Sequence, residues 1–299
     1  MTRADFNARF NTCVQQTGSA YRDAREAIRS AGPEVTPWLA EERASSDGLV
    51  AATAAILQLW RATPDLANEI LFVARGEGAG GEDATPVSGK LSVGRLGSRL
   101  VAYGDEGVPR LIELALKGEP GTEDAIAPAL QALMLMRPPL ALPYLVDAAS
   151  RNTGVVERSS VLAALGEMRH DGAKDAALAA LTDASAKPSL RSVAAAVTGQ
   201  LGDVRAAPVL LAMAADPTAN TRLRMSAVTG LGQLGDAAGA SAIVSLASLA
   251  RGRDEGLALA AVAALQGIAS ARSALDELAR SAVIASVQSA ARDANSSIA

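Results

Sequence analysis

Apolar residues recur at helical spacing along most of the chain. Val161, Leu162, Leu165 and Met168, for example, share one face of an α-helix. A Gly-Asp or His-Asp turn follows such a helix. A second helix then begins, often with Pro in its first turn, where the missing N–H is not needed. No alternating strand pattern with turn signals competes with this interpretation. The pattern predicts an all-α chain built from pairs of helices.

The helix pairs repeat with a period of 33 residues. The segment RSVAAAVTGQLGD, which begins at Arg191 and ends at Asp203, aligns with RMSAVTGLGQLGD, which begins at Arg224 and ends at Asp236. Arg158 occupies the same column one period earlier. The first turns of the second helices follow at intervals of 34, 32, 33 and 33 residues, at Pro109, Pro143, Asp175, Pro208 and Ser241. A period of this length indicates a helical repeat array.

These motifs resemble HEAT repeats, especially the short bacterial kind that is also found in phycobiliprotein-lyase-like families. The shared features are an Arg near the start of the first helix, a Leu-Gly-x-Leu-Gly-Asp turn, and then Pro and Leu-Leu. The resemblance covers roughly residues 20–285 and is strongest over 155–270. It implies a right-handed α-solenoid of about eight helix pairs, whose second helices line a concave groove. It does not identify a function, because the fold serves many partners.

The repeat sets the expected domain organisation. Residues 1–17 are expected to form a capping helix, 18–285 the solenoid, and 286–299 a polar C-terminal tail. Pro37 and Pro109 are 72 residues apart, six more than two periods of 33, and a Gly-rich loop at 76–88 accounts for the excess. Second helices are expected near 33–45, 64–75, 106–118, 139–150, 171–182, 204–215, 237–250 and 271–283.

Charge and hydropathy exclude several classes of protein. With 28 basic and 32 acidic residues, the net charge is -4, which disfavours binding to a nucleic-acid backbone. The chain contains no stretch of about 18 apolar residues, the length that a membrane-spanning helix needs. The first residues lack the apolar segment of a signal peptide, so a cytoplasmic location is expected, although a signal sequence removed earlier is compatible with the same sequence.

The chain offers few residues for catalysis. Cys13 is the single cysteine and His170 the single histidine, which argues against a disulfide and against a Cys/His zinc site. No Gly-rich phosphate motif is present. We therefore expect no catalytic residue, no metal and no cofactor.

Two columns of charged residues are interpreted as structural. Arg158, Arg191 and Arg224 are expected to bridge to the acidic turn or to the helix C-terminus of the adjoining repeat. Asp203 and Asp236 are expected to cap the second helices by accepting free N–H groups.

The candidate binding residues lie in the first half of the chain, where all eight aromatic residues occur. Three of the candidate residues each follow the Pro of a second helix. Each has an acidic residue three positions further along the chain, on the same helix face. Because the apolar face of these helices is already complete, we expect all six residues to be exposed in the groove. They are Trp38, Arg110, Tyr144, Glu41, Glu113 and Asp147.

The leading hypothesis is a non-enzymatic scaffold that binds another protein or a basic peptide in the N-terminal part of the groove, with self-association left open. The alternative is a HEAT-like enzyme or ligand carrier, such as a chromophore lyase or a DNA-lesion enzyme. A DNA glycosylase needs a basic face and aromatic residues. Residues 151–299 carry 14 basic and 13 acidic side chains and no aromatic residue, which weakens that part of the alternative.

Overall fold

The computed structural model describes residues 1–77 and 92–297. Within these residues, every regular element is an α-helix or a short 3-10 turn, as the sequence predicts. The chain forms two compact units, the N-terminal unit Met1–Ala164 and the C-terminal unit Leu165–Ala299. The Gly-rich loop predicted at 76–88 lies outside the described residues from residue 78 onward.

The N-terminal unit begins with nine described helices: α1 (Arg3–Gln15), α2 (Gly18–Arg29), α3 (Val35–Arg43), α4 (Gly48–Ala62), α5 (Pro64–Ala74), α6 (Val93–Leu100), α7 (Gly104–Leu116), α8 (Ile126–Met136) and α9 (Leu142–Ser150). Helix α10 (Arg158–Glu167) spans the boundary between the units. The C-terminal unit continues with α11 (Lys174–Thr182), α12 (Pro188–Gln200), α13 (Ala207–Ala215), α14 (Thr221–Leu234), α15 (Ala240–Ala250), α16 (Glu255–Gln266), α17 (Arg272–Ser281) and α18 (Ala285–Ser297).

The predicted series of eight helix pairs is confirmed in the described residues. The pairs run from α2 and α3 to α16 and α17, and each predicted second helix matches an odd-numbered helix from α3 to α17. Helix α1 precedes the series, in the segment that was predicted to cap it. The structure thus has the solenoid-type order of helix pairs that the 33-residue period indicates.

Side chains that accept free backbone N–H groups fix several helix starts. Thr2 and Asp5 form a reciprocal capping box at α1, and the Asp47 carboxylate accepts from the second and third N–H groups of α4. Asp254 caps α16 in the same way. These local signals explain why the helices begin close to the positions that the sequence pattern indicates.

The C-terminal segment differs from the expected polar tail. Residues Ala285–Ser297 form helix α18, which packs against α16 and α17. Val287, Ala291 and Ala294 lie at helical spacing and are buried. The polar composition of this segment concealed a narrow apolar stripe, and burial of that stripe gives the segment its helical structure.

Glycine allows close packing between helices of the C-terminal unit. Helices α12, α14, α16 and α18 contact one another in sequence. A Cβ atom added to Gly199 in α12 would lie 2.6 Å from the Gly230 carbonyl oxygen in α14, and one added to Gly230 would lie 2.5 Å from the Ala195 carbonyl oxygen. The glycines of the repeat are therefore required by the close approach of two helix backbones.

Replacing Gly199 with Ala is expected to lower the free energy of unfolding by about 1–3 kcal/mol, because the new methyl group meets rigid backbone atoms. Gly94→Ala is the matched control, since Gly94 is also helical but has no atom within 4 Å of an added Cβ. That substitution is expected to raise stability by up to about 0.5–1 kcal/mol. Urea unfolding of the two variants checks the prediction, and an equal effect of both changes would contradict it.

Helix α4 is the centre of the N-terminal unit. It contacts α1, α2, α3, α5, α7 and α9, and all residues from Ala52 to Leu57 are buried. A helix that is apolar all round is a core helix. Three aromatic side chains, Phe6, Phe10 and Tyr21, are buried in one cluster with residues of this helix. The ring centroid of Phe6 lies 5.5 Å from that of Phe10 and 5.4 Å from that of Trp38.

Candidate functional site

A buried carboxylate joins three helices of the N-terminal unit. The Glu113 side chain in α7 is 0% exposed and accepts four hydrogen bonds. One oxygen accepts from Tyr21 Oη at 2.6 Å and from Arg25 at 2.7 Å; the other accepts from Trp60 Nε1 at 2.7 Å and from Arg110 at 2.5 Å. Together with Glu119, these residues are called the Glu113 cluster below. Full hydrogen bonding is what makes burial of the charge tolerable.

The two arginines determine the charge state of Glu113. Burial alone would raise the pKa of Glu113, but the adjacent guanidinium groups of Arg110 and Arg25 outweigh burial and lower it. The carboxylate is therefore ionised at neutral pH. Two arginines and one carboxylate leave one positive charge in the interior.

Glu119 balances that remaining charge. It follows α7 and accepts from Arg25 Nη1 at 3.0 Å, from Arg25 Nη2 at 2.9 Å and from Arg110 Nη1 at 3.2 Å. Its side chain is 14% exposed, whereas the arginine side chains are 5% and 1% exposed. Glu119 is thus the member of the cluster that lies nearest to solvent.

Both guanidinium groups contact the indole ring of Trp60. Arg25 stands 4.2 Å and Arg110 4.7 Å from the ring centroid. Such cation–π contacts are strongest where water is excluded. Trp60 therefore helps to hold both arginines in fixed positions.

Lys117 is a further buried cation close to the cluster. Its Nζ atom donates to the carbonyl oxygens of Cys13 and Val14, at 2.6 and 3.0 Å, at the C-terminal end of α1. The same ammonium group faces the rings of Tyr21 at 5.2 Å and Tyr144 at 4.8 Å. Burial lowers the pKa of Lys117 to about 8 and raises the pKa of Cys13 to about 12.

These two shifts give opposite pH dependences of stability. Between pH 8 and 10.5 the unfolded chain binds more protons at Lys117, so stability is expected to rise with pH from about 8. Above pH 9.0 the unfolded chain loses the Cys13 proton first, which offsets the rise that Lys117 causes. The raised pKa values of Tyr21 and Tyr144 turn the balance to a fall in stability above pH 10.

Urea unfolding at pH 8 and pH 9 checks the first effect. Lys117→Met is expected to remove the rise over that interval, whatever its effect on total stability. Cys13→Ala is expected to keep the rise and to extend it above pH 9, because the opposing contribution of the thiol is gone. If the parent chain shows no rise from pH 8 to 9, the assigned environment of Lys117 is wrong.

A cavity of about 240 Å³ lies next to Glu119 in the N-terminal unit. Glycines with left-handed backbone conformations form part of its wall: Gly18 (φ +65°), Gly118 (φ +62°) and Gly154 (φ +73°). Glu119 and Glu123 also line it. The space is far larger than the ~10–15 Å³ that a single water molecule needs. The cavity therefore has room for a small molecule in contact with the outer carboxylate of the Glu113 cluster.

A second cavity of about 410 Å³ is lined by Thr36, Leu39, Gln58, Arg61 and Ala62. Its one charged group is already engaged, because the Arg61 guanidinium donates to four carbonyl oxygens at the C-terminal end of α2. This second cavity offers no comparable ionic group to a ligand.

The expectation that six residues are exposed in one groove is wrong for three of them. Arg110 is 1%, Glu113 0% and Tyr144 4% exposed. The hydroxyl groups of Tyr144 and Thr53 are hydrogen-bonded to each other. The physical reason is that α7 packs against α4, α8 and α9 and is buried on nearly all sides, so its polar side chains meet buried partners and not water.

The other three candidate residues lie apart from that cluster. Trp38 is half-buried against Phe6, and Glu41 is exposed and pairs with Arg3 at 2.8 Å. Asp147 forms an ion pair with Arg151, four residues further along the chain. The structure does not bring the six residues together as one surface. Their role in binding a partner stays a prediction, as do the expected absence of nucleic acid and the possible self-association.

The arginine column has a common geometry. The Nε atoms of Arg158, Arg191 and Arg224 lie 3.0–3.3 Å from carbonyl oxygens at the ends of α9, α11 and α13, respectively. Asp203 accepts from the Arg205 N–H at a 3-10 turn, while Asp236 accepts from the N–H of Ser270 in the next repeat. These contacts are structural in character. Asp203 caps the turn that leads into α13, as expected, whereas the expectation for Asp236 is wrong, because the start of α15 has no side-chain cap and Asp236 bonds to the next repeat.

The sequence interpretation missed four members of the Glu113 cluster and the neighbouring Lys117. The four members are Tyr21, Arg25, Trp60 and Glu119. A signal for two of them exists in the sequence. Arg25 lies on the same helix face as the buried residues Tyr21 and Ile28, and Lys117 directly follows the apolar run at 114–116. A charge within an apolar face is informative, because a buried charge requires a partner.

The described residues contain no group of three or more His, Cys, Asp or Glu side chains that is arranged to hold a metal ion. Over the same part of the chain, no single helix has the length and apolar character needed to cross a membrane.

Comparisons with known proteins support the helical architecture only. No family model matches the chain, and neither does any curated protein. Among solved structures, the chain is similar to human deoxyhypusine hydroxylase in complex with glycerol, with 18% identity and a TM-score of 0.35. The alignment covers 88% of this chain and 96% of that chain. The coarse resemblance to a helical HEAT-type protein therefore stands, without a match that identifies the family.

This comparison corrects the leading functional hypothesis. The similar structure is that of an enzyme, which contradicts the predictions of a non-enzymatic scaffold and of a chain without catalytic activity. A likeness at this level assigns neither a reaction nor a single residue to the present chain.

Proposed function

We propose that the N-terminal unit binds a small molecule in the cavity beside Glu119, as the ligand-binding part of a HEAT-like enzyme or carrier. The observation that carries this proposal is the position of Glu119. Glu119 lines the cavity, and its carboxylate is also bonded to both buried arginines. Ligand sites typically combine a preformed concave surface with a few fixed polar groups, and ionisable groups with perturbed pKa values cluster at such sites.

The walls of the cavity suit a small polar ligand. Glycines at 18, 118 and 154 let a ligand approach the backbone, and Thr17 and Thr153 add hydroxyl groups. Drug-sized ligands occupy roughly 300–1,000 Å³, more than the 240 Å³ found here. A small metabolite therefore fits better than a bilin chromophore.

The finer resemblance to phycobiliprotein-lyase-like HEAT repeats and the cytoplasmic location belong to this proposal as predictions. The first rests on the 33-residue motif, which spans both units, and the second on the absence of a signal-peptide pattern. Fractionation of cells that carry the tagged full-length protein tests the location.

A ligand panel tests the proposed function. Thermal unfolding is measured with small carboxylates, amines, sugars and amino acids, each at several concentrations. A ligand of the folded state is expected to raise the melting temperature in a saturable way. Thr153→Phe should abolish that rise, because the larger side chain fills the cavity next to Glu119.

Val244→Phe is the matched control, since Val244 is 71% exposed and lies in the other unit. It adds the same aromatic side chain and is expected to leave the ligand response unchanged. If no compound stabilises the parent chain, or if the response survives in Thr153→Phe, the proposed site is wrong.

A further inference from the structure

Glu119 occupies a site that any small carboxylate would fit. The two oxygens of Glu119 face Arg25 Nη1 and Nη2 at 3.0 and 2.9 Å, which is the parallel two-bond geometry of a guanidinium–carboxylate pair. Arg110 adds a third bond at 3.2 Å. The arginines themselves are held by Glu113 and Trp60, so they do not depend on Glu119 for their positions.

The segment that carries Glu119 has the means to move. Gly118 immediately precedes it and has a left-handed backbone (φ +62°), and Gly121, two residues later, has φ +81°. Glu119 is the sole member of the cluster outside a helix and the one nearest to solvent. Because Glu119 follows the end of α7, displacement of its carboxylate from the cluster does not require α7 to move.

The arginine pair requires an anion at this position. Without Glu119, the interior holds Arg25 and Arg110 against Glu113 alone and carries one uncompensated positive charge, which is costly in a low-dielectric environment. Arg25 also has an unused donor, because its buried Nε–H has no acceptor among the described residues. The arginine pair therefore requires one anion, and the Arg25 Nε–H is available as a further donor.

We propose that the ligand of the cavity is a small carboxylic acid in its ionised form, whose carboxylate displaces Glu119 from Arg25 and Arg110, so that Glu119 acts as a built-in competitor. The inference rests on the proposed function for the location of the site and adds the class of ligand. A cation or a neutral molecule cannot replace Glu119, because either would leave the buried charge of the arginines uncompensated.

Isothermal titration of the full chain with succinate tests the proposal. Succinate is expected to bind the parent weakly and saturably. Succinamide, its neutral counterpart, is expected not to bind. In Glu119→Gln the competitor has lost its charge, so the affinity for succinate should rise about tenfold or more, the factor that corresponds to about 1.4 kcal/mol.

Glu123→Gln is the matched control. Glu123 lines the same cavity and carries the same charge, but it accepts from the Gly121 N–H, whereas Glu119 accepts from Arg25 and Arg110. A general effect of cavity charge would raise succinate affinity equally in both variants, whereas displacement of Glu119 predicts a gain in Glu119→Gln alone. Equal gains, or no gain in either, overturn the proposal.

A second variant and a second anion complete the experiment. If Glu119→Gln does not fold, judged by circular dichroism, Glu119→Asp replaces it: the shorter side chain cannot reach both arginines and should give a smaller gain than tenfold, while an unchanged affinity overturns the proposal. If phosphate binds and succinate does not, the ligand class is wrong.

The last arm separates this inference from the proposed function. A panel compound that is blocked by Thr153→Phe but is unaffected by Glu119→Gln leaves the cavity site standing and removes the carboxylate proposal. If no compound binds the parent chain, both fall.

Discussion

Replacing Glu113 with Gln is expected to lower the free energy of unfolding by about 3–5 kcal/mol, the usual cost of breaking a buried ion pair by removing one partner. The amide keeps the shape of the side chain but removes the negative charge that Arg25 and Arg110 share. One of its two polar atoms also becomes a donor and faces existing donors. The loss is therefore larger than that of a single hydrogen bond.

Glu106→Gln is the control for this experiment. Glu106 lies in the same helix, α7, and is exposed, so its replacement should change stability by no more than about 0.5 kcal/mol. Urea unfolding at pH 7 measures both variants, and similar losses would show that Glu113 is not a buried ion-pair partner.

Acid titration of the same variants adds a test with a defined sign. The pKa of Glu113 is lowered in the folded state. Its contribution to stability is therefore fully present at a pH above the usual carboxyl pKa, and it is lost as the pH falls through the lowered pKa. The free energy of unfolding of the parent should fall in acid as this contribution is lost. Glu113→Gln should not show that part of the fall.

Replacing Tyr144 with Ala is expected to lower the free energy of unfolding by about 3–5 kcal/mol, the cost of truncating a large aromatic residue in a core. The ring is buried in the N-terminal unit and lies 4.8 Å from the Lys117 ammonium. Thermal and urea unfolding of the variant measure the loss. An unchanged stability would restore the hypothesis that Tyr144 is an exposed anchor for a partner.

Tyr144→Phe separates the ring from its hydroxyl group. This variant keeps the packing and removes one hydrogen bond, that with Thr53, whose hydroxyl still donates to the Leu49 carbonyl oxygen at 2.7 Å. The expected loss is about 1 kcal/mol. A loss as large as that of Tyr144→Ala would mean that the hydroxyl group, and not the packing of the ring, provides the stabilisation. That result would contradict the packing interpretation.

The order of the helix pairs could be predicted because its determinants are local and repeat. The columns that contain Gly199, Gly232 and the Arg191 and Arg224 side chains mark equivalent points of successive pairs. Each pair contacts mainly its neighbours in a repeat array. A motif that spans one period therefore contains most of the information that fixes the next helix boundary.

The Glu113 cluster could not be predicted in the same way. Its partners are far apart in sequence, since Arg25 and Glu113 are separated by 88 residues and Trp60 and Glu113 by 53. The spacing of Arg110 and Glu113 indicates a shared helix face, but it does not tell whether that face meets water or other helices. The assumption that one apolar face completes the burial of α7 led to the wrong assignment.

The N-terminal unit also departs from the regular repeat. Helix α4 contacts six other helices, including α1, α7 and α9, so its neighbours are not those of a simple stack. Larger side chains and a buried charge cluster fill this irregular packing. The cavity next to Glu119 is lined mainly by residues of the segments between helices, and no column of the 33-residue repeat encodes it.

The most direct test of the proposed small-molecule site is native mass spectrometry of the full-length chain mixed with the compound that gives the largest thermal stabilisation. The proposed site predicts a one-to-one complex for the parent and for Val244→Phe, and a free chain for Thr153→Phe at the same concentration. Equal occupancy of the parent and Thr153→Phe would contradict it, because a ligand that tolerates a filled cavity binds elsewhere.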